Sequence, residues 1–312
     1  MNKMKKIGLT ALAASLVSVS AHAVDISGGS SLTYAAGNDG TNGNPWSMND
    51  SLTFSWGGEL DNGMTVDMSF LLDNSDGAAS QIFDNRTLAI GMGDAGTLTF
   101  WGQAGSGVVG SFDDRTPTAY EESWTSGDSP NQGHSSSNMF YYTNALDAAT
   151  IHASYTPQGS GASASSEFGV VITAVDNLEL YGAAGTDNGN GGAAVDNTIM
   201  GAKYTIGGAT VGLQQNKADS EATNSDEEFT AWSISYAVSE DLSVSYGRST
   251  LDFETNGTSD QEATGISASY TMGSMTLAAT VNSIDNQGGG ATGAKNTDTN
   301  SDTYEVNLSF AF

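Results

Sequence analysis

The sequence predicts an all-β fold: a transmembrane antiparallel β-barrel of about 16 strands, with a long third loop folded into its lumen. Three observations predict it. The first is the C-terminal stretch, where Tyr304, Val306, Leu308, Phe310 and Phe312 share one face and Glu305, Asn307, Ser309 and Ala311 the other. A period of two marks a strand whose faces meet different surroundings, and about ten residues is enough for a tilted strand to cross a bilayer. The second is a strict alternation of short and long connections along the chain. The third is an inverted polarity, in which the apolar set is opposed by small, hydroxylated or charged residues rather than by a second apolar layer. A soluble sandwich accommodates the first observation but supplies no reason for the second.

The chain opens with three lysines in Met1–Lys6, an apolar or small stretch from Ile7 to Ser20, and Ala21-His22-Ala23, a small-x-small cleavage pattern. Residues 1–23 therefore read as a secretory signal peptide, and 24–312 as one barrel domain. Beyond the leader no apolar run reaches the length of a membrane helix, so a membrane-spanning form has to be a barrel. The 312 residues include no cysteine, which excludes disulfides, thiol chemistry and cysteine-ligated metal.

Formal charge is −27, from 9 Lys+Arg and 36 Asp+Glu. Removing Lys3, Lys5 and Lys6 with the leader leaves 6 basic residues and a net charge of −30. That balance excludes nucleic acid as a partner, because phosphate binding needs a basic footprint. It also disfavours anionic solutes.

From Val24 onward the short connections are Leu60-Asp61-Asn62-Gly63, Asp94-Ala95-Gly96, Ala145 to Ala148, Asp176-Asn177, Gly207-Gly208, Ser239-Glu240-Asp241 and Gly273-Ser274. Each offers Gly, Asn or Asp where a hairpin turn calls for positive φ, or a small polar turn residue. The long connections are 37–50, 73–83, 104–137, 157–166, 186–196, 217–228, 252–261 and 285–302. The two kinds alternate, beginning and ending on a long one, which gives an even strand number with short turns on one rim and long loops on the other.

Facing follows strand by strand. Leu52, Phe54 and Trp56 oppose Thr53, Ser55 and Gly57; Val66, Met68 and Phe70 oppose Asp67 and Ser69; Leu88, Ile90 and Met92 oppose Thr87, Ala89 and Gly91. Ile151, Ala153 and Tyr155 oppose His152 and Ser154; Met200, Ala202, Tyr204 and Ile206 oppose Lys203 and Thr205. Trp232, Ile234, Tyr236 and Val238 oppose Ala231, Ser233 and Ser235, and the pattern continues through Ile266–Met272 and Thr276–Asn282. The expectation is an apolar outside and a wet inside. In the first strand Gly28 and Ser30 fall in the outward phase of Ile26, Leu32 and Tyr34. Close approach of a second subunit would account for such small outward residues, as would a bulge near the rim.

The longest connection, 104–137, holds Phe112, Asp113, Asp114, Arg115, Tyr120, Glu121, Glu122, Trp124 and Asp128. A loop of this length is usually functional or disordered. Aromatics among acids suit a loop that packs on the wall and carries its carboxylates to the constriction: Asp113, Asp114, Glu121, Glu122 and Asp128, with Arg115 among them. Gln103, His152 and Lys203 take the inward phase and are expected to line the wall, Lys203 as a lone cation. Arg115 is expected to pair locally with Asp113 or Asp114. Arg86 and Arg248 share the outward phase at strand ends, where planar guanidinium forks would suit lipopolysaccharide phosphates; a bulge, or snorkelling at the rim, would also explain them.

In these features the chain resembles the general diffusion porins of Gram-negative outer membranes, those of alphaproteobacteria especially. The resemblance rests on the leader, the strand number, the terminal Phe312, the long third loop, and the stretches Asn85-Arg86-Thr87-Leu88-Ala89-Ile90-Gly91, Gly96-Thr97-Leu98-Thr99-Phe100 and Gly102-Gln103. It implies a third loop folded into the barrel, a homotrimer, and passive passage of small hydrophilic solutes. It also implies a ladder of basic residues facing the loop, and there this sequence departs. Gly102-Gln103 stands where many relatives carry Gly-Arg, and only Arg86, Arg115, Lys203, Lys217, Arg248 and Lys295 remain after the leader. The resulting expectation is a weak cation preference, as carboxylate rings give.

Catalysis is not expected. His134 and His152 lie in different elements, so no zinc motif forms, and Glu121 and Glu122 point apart as neighbours on an extended loop. The oxygen-rich segment 219–228, with Asp219, Glu221, Asp226, Glu227 and Glu228, could hold calcium, although a solvated acidic face explains it as well. Two other functions fit the same fold: a substrate-selective channel, and a non-conducting surface barrel plugged by its loop.

Overall fold

The computed structural model describes residues 24–37, 43–73, 83–125, 127–128, 133–159, 163–188, 192–255, 257–289 and 300–312. The signal-peptide reading of 1–23 and Lys295 lie outside the described residues.

Eighteen strands are described: β1 (Asp25–Gly37), β2 (Trp46–Glu59), β3 (Thr65–Asp73), β4 (Asn85–Gly91), β5 (Thr97–Gln103), β6 (Gly105–Ser106), β7 (Ser135–Ser136), β8 (Met139–Leu146), β9 (Ala149–Thr156), β10 (Ser165–Val175), β11 (Leu178–Asp187), β12 (Val195–Ile206), β13 (Ala209–Ser220), β14 (Glu227–Ala237), β15 (Leu242–Phe253), β16 (Gln261–Met272), β17 (Met275–Asp285) and β18 (Ser301–Ala311). Sixteen of them close into one antiparallel barrel, and β6 with β7 forms a separate two-stranded sheet inside the third long connection. No described helix is long and apolar enough to cross a membrane.

The turns follow from their residues. Asn177 joins β10 to β11 at φ 63°, and Gly207 joins β12 to β13 at φ 58°. Such hairpins need positive φ, which Asn and Gly reach at least cost. The expected connection 217–228 is shorter than its polarity suggests. Lys217 lies opposite Glu228 in the β13–β14 ladder, with an ion pair at 3.0 Å, and β13 runs on to Ser220, which pairs with Val195 of β12.

Closure removes the free edges that β1 and β18 would otherwise expose. The ladder between them runs from Gly29 opposite Ala311 to Gly37 opposite Thr303. Phe312 extends it, its N–H donating to the Gly28 carbonyl (3.0 Å) and its carbonyl accepting the Gly28 N–H (3.1 Å). The Phe312 ring lies over Gly28, where an added Cβ would stand 2.9 Å from ring Cζ and 2.6 Å from the Ser51 carbonyl oxygen. Gly28 is thus small because the chain's own last residue covers it, so a second subunit is not needed to explain it.

The outer face carries the expected apolar set, with Phe168, Ile206, Leu213, Ile266 and Val281 among its exposed members. Cross-strand aromatic pairs reinforce it, including Tyr34 with Trp46 (5.0 Å between ring centroids) and Phe100 with Phe140 (5.1 Å). The inner phase is not wet throughout, and here the expectation is corrected. Val171, Tyr181, Ala183 and Ile199 share the phase of Glu167, Glu179 and Asn197, yet they are buried in one apolar cluster. Phe229, Ala231, Leu251, Ala263 and Ile284 form a second. Both clusters are completed by residues of the third long connection, which removes them from water.

Candidate functional site

The connection between β5 and β8 leaves the wall at Ala104 (φ 49°) and rejoins it after Asn138 (φ 62°). The β6–β7 pair ties its two ends into a stem. Above the stem sits Glu167 of β10, only 1% exposed. Its carboxylate accepts the Val109 N–H (3.0 Å), the His134 N–H (2.7 Å) and the Ser154 hydroxyl (3.1 Å). A buried carboxylate is tolerated only where such donors replace water. Gly107 and Gly133 leave it room, since a Cβ on either would lie within 2.6 Å of a Glu167 oxygen.

Three residues of the first loop segment, Val108, Val109 and Phe112, fill the first apolar cluster. The chain then extends as a strap over the polar face of β13–β18. Gln214 accepts the Arg115 N–H (3.1 Å) and donates to the Asp113 carbonyl. Pro117 lies over Gly212, and its carbonyl accepts the Ser233 hydroxyl (2.7 Å). Ser245 Oγ accepts the Ala119 N–H (2.9 Å), Ser267 Oγ the Tyr120 N–H (3.1 Å), and Tyr120 donates to Glu305 at 2.5 Å. Asn282 holds the Glu122 carbonyl (3.2 Å). Trp124 then enters the second cluster edge-on to Phe229. Inward serines whose side chains looked like plain lining are therefore hydrogen-bond sockets for a loop backbone that no ladder satisfies.

The expected constriction residues divide. Asp113, Asp114, Arg115, Glu121 and Glu122 all belong to the strap. Asp128 does not: it sits past Trp124, its backbone N–H and carbonyl bonded to the Gln261 side chain at 3.0 and 2.7 Å. Burial, followed by the charge of Asp114, pushes the Asp113 carboxyl up to about 7. Burial and the charge of Glu305 push Glu121 up to about 7. Burial and the charge of Asp114 do the same for Glu122, and burial also raises Asp114. The strap thus carries fewer negative charges at neutral pH than its formal count.

Two expectations about the bases are corrected. Arg115 does not pair within its loop. Its guanidinium contacts Glu179 of β11 at 2.9 Å and lies 4.8 Å from the Phe112 ring centroid and 5.1 Å from that of Tyr181. Lys203 is not a lone cation, since it meets the same Glu179 oxygen at 3.0 Å. The loop path crosses the wall, and contacts of that kind cannot be read from neighbours in sequence.

Gln103 stands at a bulge, where Thr87 pairs with Trp101 but Arg86 with Gln103, so simple alternation stops being a guide to its facing. Its amide donates to the Phe83 carbonyl. His152 lies under the first anchor, edge-on to Phe112 with centroids 5.2 Å apart and 3.0 Å from the Tyr141 hydroxyl. Arg248 pairs with Glu262 at 2.5 Å, and Arg86 reaches the Gly102 carbonyl at 3.4 Å. In the segment considered for calcium, Asp226 accepts the Ser220 N–H (2.7 Å) and Glu228 is held by Lys217. No group of three or more metal-capable side chains occurs among the described residues.

Glu167, Glu179, Gln214, Gln261 and Glu305 hold the loop of the candidate site and were not among the residues expected there. Their one legible signal was a charged or amide side chain in the inward phase of a strand.

Two cavities flank the strap. One of about 880 Å³ is lined by Asp114, Arg115, Glu122, Glu179 and Lys203. The other, of about 400 Å³, is lined by Glu121 and Glu305 among others. Glu121 and Glu122 therefore do point apart.

Residues 8–311 match the family model of the Gram-negative porins. No match was found among curated protein sequences. Among solved structures, a triple mutant of the Rhodopseudomonas blastica porin is similar at 17% identity and TM-score 0.68, covering 93% of this chain and 100% of that one. In-vitro folded OmpT, an outer membrane protein of Vibrio cholerae, is similar at 14% identity and TM-score 0.68, covering 93% and 97%. Likenesses at these identities speak for the fold, and the family match speaks for descent. With the family model spanning nearly the whole sequence, this chain belongs to the Gram-negative porins and is an outer-membrane β-barrel.

Proposed function

We propose that the barrel is a passive diffusion channel for small hydrophilic solutes, with the third long loop inside the lumen as its constriction. The observation that carries this reading is the strap: a single extended segment bearing Asp113, Asp114, Glu121 and Glu122, bonded to inward side chains from Gln214 on β13 to Glu305 on β18. A segment on the inner phase of a closed barrel narrows it without filling it, and the flanking cavities agree with an open path. Gln103, His152 and Lys203 are read as wall residues of that path.

Selection is by size, with a weak preference for cations. The arginine ladder that the family resemblance implies is missing, and both strap-side bases share Glu179. Raised carboxyls on the strap keep the preference small at neutral pH. Salt weakens it further, the Debye length falling to about 3 Å near 1 M. The assembly is read as a homotrimer from the family resemblance, and cross-linking in native membranes tests it. Arg86 and Arg248 are read as rim contacts for lipopolysaccharide phosphate, with Arg248 having to leave Glu262 to make one.

The test is single-channel current of the refolded barrel in a planar bilayer under a potassium chloride gradient. Ohmic steps with a cation-directed reversal potential are expected. Anion preference would overturn the electrostatic part, and an inserted barrel without current would overturn the diffusion reading.

A further inference from the structure

The larger cavity beside the strap joins two charge signs at one place. Arg115 and Lys203 both approach a single oxygen of Glu179, at 2.9 and 3.0 Å. One carboxylate between two cations leaves a net positive charge there. Arg has five N–H donors and Lys three, so most of them are unspent by that shared oxygen. Their side chains keep 23% and 27% of their exposure, and Glu179 25%. Asp114 and Glu122 line the same cavity, and their neighbouring carboxyls, which hold protons more readily than isolated acids, together supply charge of the opposite sign.

We infer that this cavity is a resting site for zwitterionic solutes, the free α-amino acids being the chemical class. The inference rests on the diffusion-channel reading and names a solute class within it. The solute's carboxylate takes the unspent donors of Lys203 and Arg115, and its ammonium faces Asp114 and Glu122. A simple anion entering the same cavity meets the two strap acids, and a simple cation meets the two bases. A neutral polyol forgoes both attractions. Only a molecule carrying both charges answers both sides, and charge-assisted hydrogen bonds are the stronger ones. Arg115 is held for this task by Phe112 and Tyr181, which fix its plane.

The test uses alanine, N-acetylalanine and alaninamide on single channels at neutral pH. The second compound lacks the ammonium and the third lacks the carboxylate. Alanine is expected to interrupt the current saturably, with each derivative needing roughly tenfold more for the same effect. Lys203→Met and the double variant Asp114→Asn with Glu122→Gln are expected to weaken the alanine effect by a similar factor, and Lys203→Arg to preserve it. Gel mobility of heated and unheated samples establishes that each variant is folded. Equal action of the three compounds on an open channel, or an alanine effect unchanged in both weakening variants, would overturn the site while leaving the channel intact. A folded, inserted barrel with no current would instead overturn the diffusion reading. Equilibrium dialysis of labelled alanine against the barrel in micelles then decides the cavity separately: retention supports it, and no retention overturns it.

Discussion

Two walls of this barrel are built from the same alternation and end in different states. On β13–β18 the inward Gln214, Ser233, Ser245, Ser267 and Asn282 are buried because a loop lies on them. On β1–β5 the inward Ser31, Thr53, Ser55, Ser69, Thr87 and Thr99 are only half-buried. The chemistry of the two sets is nearly the same. A hydroxyl on the inner phase is therefore either a socket for backbone or part of a lining, and the loop decides which.

The comparison breaks most severely at Glu167. Glu167→Ala orphans two loop N–H groups and the Ser154 hydroxyl, at about 1–3 kcal/mol for each buried unsatisfied group. Urea unfolding in micelles is expected to show a loss of about 3 kcal/mol or more, with the loop becoming a protease site in an otherwise intact barrel. Glu167→Gln, which keeps an acceptor, is expected to lose less.

A smaller loss follows from removing two sockets. Ser245→Ala with Ser267→Ala leaves the Ala119 and Tyr120 N–H groups without their acceptors, at about 2 kcal/mol together. Ser55→Ala with Thr99→Ala on the opposite wall is expected to fall within about 0.5 kcal/mol of wild type. Equal losses on both walls by the same unfolding assay would erase the distinction.

Glycines sharpen the contrast further. A Cβ on Gly212 would stand 2.3 Å from Pro117 Cδ, so Gly212→Ala must displace the strap, at about 1–2 kcal/mol. On the other wall, a Cβ on Gly57 meets the Asp67 carboxylate, the free end of a flexible side chain that can swing aside, and stands 3.0 Å from the Val66 carbonyl oxygen, a tight contact that needs a small backbone adjustment. Gly57→Ala is expected to lower the unfolding midpoint less than Gly212→Ala does.

A further effect is a pH dependence confined to the loop. Asp113, Glu121 and Glu122 have carboxyls raised to about 7 by burial and neighbouring charge. A raised acid favours the packed loop while it is protonated. The strap's hold is therefore complete below the ordinary carboxyl range near 4, declines as pH rises through about 7, and is level above that. The proposed cation preference is expected to move the other way, growing between about pH 5 and pH 8 as the strap gains charge. Reversal potentials across that range check the second statement, and protease sensitivity of the loop the first. A flat profile in both would mean that the strap acids keep ordinary proton affinities.

Much of the architecture was legible in advance because it depends on neighbours. A side chain's face follows from a period of two, and a turn from Gly or Asn at positive φ. Sixteen strands, the order of short and long connections and the acidic third loop all belong to that local grammar. Legibility failed where distant segments meet. Arg115 finds Glu179, 64 residues away, while Asp114 stands next to it in sequence. Gly28 was small for Phe312, at the other end of the chain.

By itself the sequence determined the strand phases, the turns, the barrel class and the excess of acid, since each is set by a few consecutive residues or by composition. Only the tertiary structure decided which inward groups are covered, which bases share a carboxylate, and which acids hold their protons near neutrality. Those outcomes depend on burial and on separations of a few ångströms between residues far apart in the chain, and periodicity carries no record of them.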